Sequence, residues 1–230
     1  SSTDPLTLAE SCRQYSCKDG STATVKHFTA NSLSSKLLKW TLDLLTRNMR
    51  SMYKKSSWGW KPKEKKAEMT EDAARFLIAF LDDTPVAFSH FRFDMDYSHE
   101  VVYCYEIQLE EHVRTLGLGR HLMTTLEIFA AALNLDKIVL TVFKHNPEGI
   151  GFFRKIGYNV DESSPEENEG KSYFILSKPT KLRLKGPDSF FSQKKLIIHT
   201  TSGIYCLMNS RMPRSQHKFL YFPRYVTTTH

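Results

Sequence analysis

Val101-Val102-Tyr103-Cys104-Tyr105-Glu106-Ile107-Gln108-Leu109, with Arg114-Thr115-Leu116-Gly117-Leu118-Gly119-Arg120 just beyond it, decides the fold of this chain. The first run is rich in β-branched and aromatic residues and predicts a strand. The second is a glycine-bearing turn that opens an apolar helix reaching about Leu133, and Lys137 to Phe143 predicts another strand. Strand, turn, helix and strand in that order describe one parallel crossover. The turn has the makings of a pyrophosphate cradle. Two glycines let the backbone fold closely around an anion, successive N–H groups point inward, and the helix N-terminus adds positive potential. Arg114 and Arg120 bracket it with charge.

Working upstream, Arg75 to Leu81, the turn Asp82-Asp83-Thr84-Pro85 and Val86 to Asp94 predict a hairpin that joins the same sheet. Before it, Leu33, Leu37, Trp40, Leu44, Leu45 and Met52 recur at helical spacing, with Asn31 as the expected cap and an end near Lys55. The aromatic turn Trp58-Gly59-Trp60-Lys61-Pro62 leads to a short charged helix, and Thr24 to Phe28 suits a first strand. Downstream, Pro147 to Ile156 predicts a short helix, and Tyr158 to Val160 and Ser172 to Leu176 complete the pattern. The whole is an α+β fold with a mixed, mostly antiparallel sheet flanked by helices.

Residues 1–22 carry no clear period and are expected to be an irregular N-terminal segment, residues 23–178 the folded domain, and residues 179–230 a basic tail, disordered or loosely docked. The net charge of +7 belongs to that tail. From Pro179 onward there are nine Lys or Arg against one acid, Asp188, which leaves 23 basic and 24 acidic side chains before it. The domain is therefore not expected to bind nucleic acid directly, although the tail suits a basic arm touching nucleic acid or chromatin. No apolar run approaches a membrane span. The chain begins Ser1-Ser2 rather than with Met, which leaves room for an upstream segment. Cys12, Cys17, Cys104 and Cys206 lack zinc-ligand spacing, Cys104 reads as a buried thiol, and a reducing compartment, nucleus or cytoplasm, is expected.

Arg114-x-x-Gly117-x-Gly119 resembles the acetyl-CoA signature of the GNAT superfamily of N-acetyltransferases. Asn146, ahead of Phe152-Phe153-Arg154-Lys155-Ile156-Gly157-Tyr158, resembles its second signature. The resemblance implies the GNAT fold and acetyl-CoA as cosubstrate; no residues have metal-ligand spacing, so no metal is expected. It implies that the backbone of Ile107, Gln108 and Leu109 pairs with the pantetheine arm as an added strand would. It further implies that Arg114, Thr115, Leu116, Gly117, Leu118, Gly119 and Arg120 hold the diphosphate and that Asn146 positions the cofactor. The tyrosine that many of these enzymes use as general acid is Phe153 here.

Longer strings narrow the likeness. Met52-Tyr53, Trp58-Gly59-Trp60-Lys61, Ala87 to Asp94, Tyr103-Cys104-Tyr105-Glu106 and Leu140 to Asn146 resemble the N-terminal acetyltransferase D family, over about Met49 to Leu176. That family acetylates the α-amine of histone tails that begin Ser-Gly-Arg-Gly, those of histones 2A and 4. The resemblance implies that Asp94 and Asp96 contact the substrate's first residues and its arginine. It implies that Tyr53, Trp58, Tyr103, Tyr105, Thr141, Ser163 and Tyr173 line the peptide site. Read without the family, Tyr53 and Trp58 suit core aromatics and Glu110 and Glu111 a solvated strand end.

Glu106 is the candidate general base, through a water, with Tyr105 as its catalytic neighbour. An α-amine has a pKa of about 7.7–8.0 against about 10.4 for lysine, so it asks less of a base. Tyr105 and Glu106 are consecutive, and a regular strand would send them to opposite faces. Both reach one site only across a bulge, which the superfamily resemblance implies. The alternative is Glu106 in a buried ion pair with Tyr105 in the core. His90, His99 and His145 are lesser candidates for a base. A GNAT enzyme acting on lysine or a small amine, and a non-catalytic binder of acetyl-CoA or histone tails, are the competing functions. A monomer is expected.

Overall fold

In the computed structural model, residues 4–180 are described. The sequence builds one eight-stranded sheet, β1 (Gln14–Ser16), β2 (Thr22–Thr29), β3 (Arg75–Leu81), β4 (Thr84–Asp96), β5 (His99–Leu109), β6 (Lys137–Phe143), β7 (Asn159–Val160) and β8 (Tyr173–Pro179). Their spatial order is β1-β2-β3-β4-β5-β6-β8-β7. All neighbours are antiparallel except β5 and β6. Helices α1 (Ser35–Lys55) and α2 (Pro62–Met69) cover one face, and α3 (Leu118–Ala132) and α4 (Pro147–Lys155) belong to the other. The α+β class and the crossover through α3 therefore stand. No described helix is long and apolar enough to cross a membrane.

Two cores follow from strand alternation. Phe76, Ile78, Phe80 and Phe88 point toward α1 and bury Leu44, Leu45 and Met69 with them. Leu77, Ala79, Ala87, Phe91, Val102 and Cys104 point the other way, onto Leu118, Leu122, Met123, Leu126 and Phe129 of α3. Burial pushes the Cys104 thiol up to about 12, so it is an inert packing group.

Three expectations are corrected. Pro5–Arg13, expected to be irregular, forms 3₁₀ turns capped by Asp4, and β1 follows directly. Leu6, Ala9 and Cys12 are buried in the α3-side core. The backbone leaves helical geometry at Ala9, so the segment is two short turns with no sustained period of 3.6 or 2. Helix α1 is capped by Ser34, whose Oγ accepts from the Leu37 N–H at 3.2 Å, and not by Asn31. Asn31 lies in a separate 3₁₀ turn that Thr29 and Ser32 close reciprocally. Pro85, read as part of the turn, lies within β4 opposite Phe80, at the irregular end of its pairing with β3. The turn is made by Asp82 and Asp83, both at positive φ. Apart from Pro179 and Thr180, the expected tail lies outside the described residues.

Candidate active site

The site is built by an irregularity in the middle of the sheet. His90 pairs with Glu106, whereas the next residue, Phe91, pairs with Cys104, so Tyr105 is an extra residue on β5. That bulge brings Tyr103, Tyr105 and Glu106 to the α1 face together. The Tyr105 ring stacks on His90 (centroids 5.1 Å apart) and lies 4.9 Å from that of Tyr103, with the Arg92 guanidinium 4.6 Å away. Its hydroxyl donates to Asp94 Oδ2 at 3.4 Å. Just past the bulge the sheet opens. The parallel pairing of β5 with β6 ends at Cys104 and Leu140, although both strands continue.

Backbone alternation decides what faces this gap. The Glu110 N–H donates to the Val86 carbonyl, which makes Ala87 and Leu109 a pair without direct hydrogen bonds. The backbone groups of Ile107 and Leu109 are therefore directed at the gap, and those of Gln108 at β4. Gln108 thus departs from its expected place on a cofactor edge. Its side chain is buried, donates to Glu106 Oε2 at 3.0 Å and accepts from Asn48 Nδ2 at 3.0 Å. Asn48 also donates to the Leu109 carbonyl and accepts from Arg114, tying the glycine turn to β5.

At the turn, Thr115 and Gly117 both have positive φ, +69° and +98°. Gly117 is the N-cap of α3 and offers no side chain to the first helical N–H groups. Those of Leu118, Gly119 and Arg120 precede the first intrahelical bond, from the His121 N–H to the Gly117 carbonyl. Donors aimed out of a helix start, between Arg114 and Arg120, suit a diphosphate. Leu116 turns inward, packed against the core and accepting from Tyr15 and the Lys18 N–H through its carbonyl. The Phe152 ring stands 3.3 Å from where a Cβ on Gly119 would be, so that glycine lets α3 and α4 approach. Asn146 caps α4, its Oδ1 accepting from the Gly149 N–H at 3.0 Å, which leaves its amide NH₂ as the group to meet a cofactor.

Glu106 is buried and heavily engaged. Oε1 accepts from the Tyr53 hydroxyl at 3.1 Å and from the Lys65 ammonium at 2.9 Å. The alternative reading, Glu106 in a buried ion pair, is thus what the structure shows, and the pair lies beside the bulge. Burial opposes the Lys65 ammonium, but the charge of Glu106, aided by Tyr53 and Glu68, outweighs it and holds Lys65 protonated well above its ordinary range. Burial, followed by the Glu106 charge, pushes the Tyr53 phenol up, so it remains a donor. A carboxylate offers about four acceptor positions. Three are filled, and the fourth lies at Oε2.

Around this centre the expected peptide-site residues fall into groups. Tyr53 and Trp58 pack with Phe143, and Trp58 lies 4.9 Å from Tyr173. Trp58 is 39% exposed, which suits a wall more than a core. Tyr103 and Thr141 share a hydroxyl–hydroxyl bond of 2.7 Å. Asp96 Oδ2 is buried with no hydrogen-bond partner among the described residues, and burial raises its pKa. Ser163 is not turned to the aromatic wall. Its hydroxyl and N–H both donate to Asp161, whose other oxygen takes Lys137 at 2.7 Å.

The histidines fare poorly as bases. His90 is fully buried beneath Tyr105, and burial drives its pKa well below the ordinary value. His145 Nε2 bonds the Met52 carbonyl, and His99 bonds Asp136. Phe153 is buried in the core. Among the described residues, no group of three or more His, Cys, Asp or Glu is placed to hold a metal ion. Lys65 is the residue of this centre that sequence reasoning missed. Its only signal is spacing, four residues before the buried Met69 on α2.

Residues 41–158 match the family model described as "Acetyltransferase (GNAT) family". Among solved structures, the chain is similar to the GNAT domain of S. lividans PAT, with a TM-score of 0.55, 12% identity and 72% of this chain and 95% of that one covered. It is similar to the ribosomal-protein-S18-alanine N-acetyltransferase of Escherichia coli, with a TM-score of 0.51, 16% identity and coverage of 73% and 100%. The PaiA N-acetyltransferase of Thermoplasma acidophilum, solved in complex with coenzyme A, gives 0.50, 16% identity and coverage of 68% and 99%. At these identities the likeness shows a shared fold.

Proposed function

This chain belongs to the GNAT family of acetyltransferases, and from that premise we propose that it acetylates the N-terminal α-amine of a basic, histone-type tail beginning Ser-Gly-Arg-Gly. The observation that carries the proposal is the Tyr105 bulge, which sets Tyr105, Glu106 and Asp94 on one face beside the opened β5–β6 gap. The peptide likeness to the N-terminal acetyltransferase D family supports the choice of substrate.

Acetyl-CoA, when bound, supplies an acetyl thioester whose sulfur leaves as a thiolate. The chain's part begins with holding it. The N–H groups at the start of α3 receive the diphosphate, and the gap-facing backbone of Ile107 and Leu109, whose carbonyl Asn48 also holds, receives the pantetheine amides. The substrate amine enters between Tyr53 and Tyr105. Its lone pair forms the new N–C bond at the acetyl carbon as the C–S bond breaks. Glu106 takes the amine's proton through a water at Oε2, and the thiolate accepts a proton from Tyr105 or solvent. An α-amine already partly neutral near pH 7 asks little of its base.

Asp94 and Asp96 suit the basic tail. A buried carboxylate oxygen without a partner costs about 1–3 kcal/mol, which a guanidinium or a serine hydroxyl would offset. The test is mass spectrometry after incubation with acetyl-CoA and a Ser-Gly-Arg-Gly-Lys peptide, free or N-blocked. Acetyl on the first residue of the free peptide alone is the expected result. Acetyl on the lysine of both would replace this reading with a lysine acetyltransferase, and none on either would favour a binding module.

A further inference from the structure

Two carboxylates and one ammonium meet where β5 and α2 cross. Lys65 Nζ lies 2.9 Å from Glu106 Oε1 and 2.9 Å from Glu68 Oε1, and 5.3 Å from the centre of the Tyr53 ring. Its side chain is only 12% exposed. The groups facing it are Glu106 from β5, Tyr53 from α1, Glu68 from its own helix, and His90 from β4. Arg92 of β4 acts through Glu68, whose main-chain carbonyl it also binds, and pairs with Glu71.

An amine approaching Glu106 arrives partly as an ammonium ion. A lone buried carboxylate would pair with that ion and hold it protonated, and a protonated amine has no lone pair to attack with. We propose that Lys65 is a positioning residue that occupies the cation side of Glu106, so that the substrate amine meets the carboxylate as the neutral base and not as a second ammonium. The inference rests on the reading of Glu106 and of an amine acceptor given above. Lys65 is suited to the task because surrounding negative charge keeps it protonated across the working pH range. Tyr53 and Gln108 fix the carboxylate from the other sides, so its orientation does not depend on Lys65 alone.

The experiment measures kcat and KM against pH for wild type, Lys65→Met, Lys65→Arg and Glu68→Gln, with thermal denaturation to confirm folding. Lys65→Met should raise the midpoint of the pH–kcat curve by about one unit, the low end for loss of a neighbouring charge. At pH 7 that is about a tenfold loss in kcat, with a lower KM because the protonated amine now pairs with Glu106, and activity returns at high pH. Lys65→Arg should keep the wild-type midpoint. Glu68→Gln makes the centre more positive and should move the midpoint the opposite way. A loss in Lys65→Met that is uniform across pH, an unchanged midpoint, or a shift of the same sign in Glu68→Gln overturns the proposal. If the wild type acetylates lysine and not an N-terminus, the substrate reading falls, and the same four proteins assayed on that lysine still decide the role of Lys65. If it acetylates no amine, both fall.

Discussion

The hydroxyl of Tyr15, in the short first strand, lies 2.0 Å from the point where a Cβ on Gly117 would stand. The glycine of the cofactor turn is thus required for two reasons. Its φ of +98° disfavours any side chain, and the N-terminal segment closes over its only substituent direction. A larger residue at this position collides with Tyr15.

Gly117→Ala is therefore expected to lose both stability and coenzyme A affinity, and Tyr15→Ala in the same chain should return part of both. The backbone strain, about 1–2 kcal/mol, would remain in the double variant. Denaturation and calorimetry on the two single variants and the double variant separate the contributions. If Tyr15→Ala returns nothing, the tyrosine does not constrain this turn.

A second expectation concerns pH and stability. Burial lowers His27 to about 4 and takes His90 well below its ordinary value. Both are neutral when folded, and each regains a proton on unfolding below about pH 6.5. The unfolded state then binds more protons, so the stability tied to these rings is intact above that pH and falls as pH drops toward 4. The slope is about 1.4 kcal/mol per pH unit for each histidine. Urea unfolding at a series of pH values should show it, and His27→Gln should remove about half. A flat profile between pH 6.5 and 4 would mean that these rings are not held neutral.

These same residues mark what was legible in the sequence. The strands β3, β4 and β6 announce themselves through dense, largely buried apolar runs, and β5 through its β-branched and aromatic residues. The bulge was legible only through the superfamily resemblance, since consecutive Tyr105 and Glu106 share a face only where the strand is irregular. Leu6, Ala9 and Cys12 were not, because the segment breaks at Ala9 into two short turns and sustains neither common period. Gln108 was misplaced by one step of strand alternation, which only the pairing with β4 decides. Lys65 was hidden among the lysines of Lys61-Pro62-Lys63-Glu64-Lys65-Lys66, alike until α2 is laid across β5.

The basic-tail reading makes a claim about Asp94 and Asp96. Replacing both with Asn should raise KM for a Ser-Gly-Arg-Gly peptide by more than it does for the same peptide with Arg→Ala. Carboxylates that read the arginine lose their effect once it is gone, so the two changes should fall well short of adding. Strict additivity of the two free-energy changes would assign the arginine to other residues.

Glu106→Gln tests the chemical step. The amide keeps the shape and still accepts from Tyr53 or Lys65, but it no longer takes a proton. A fall in kcat on the order of 10²-fold is expected near neutral pH, the low end for general base catalysis. The deficit should shrink as pH passes the amine's own pKa, because free amine then needs no base. The substitution also leaves the buried Lys65 with Glu68 as its remaining anion, so denaturation must show that the fold survives. Tyr105→Phe removes the hydroxyl that donates to Asp94 and keeps the ring on His90. Its loss should not recover with pH if that hydroxyl orients substrate or protonates the thiolate. A folded Glu106→Gln protein with wild-type kcat at pH 7 would take the base away from Glu106. The proton would then pass directly to solvent, since His90 is sealed beneath Tyr105 and His145 is tied to the Met52 carbonyl.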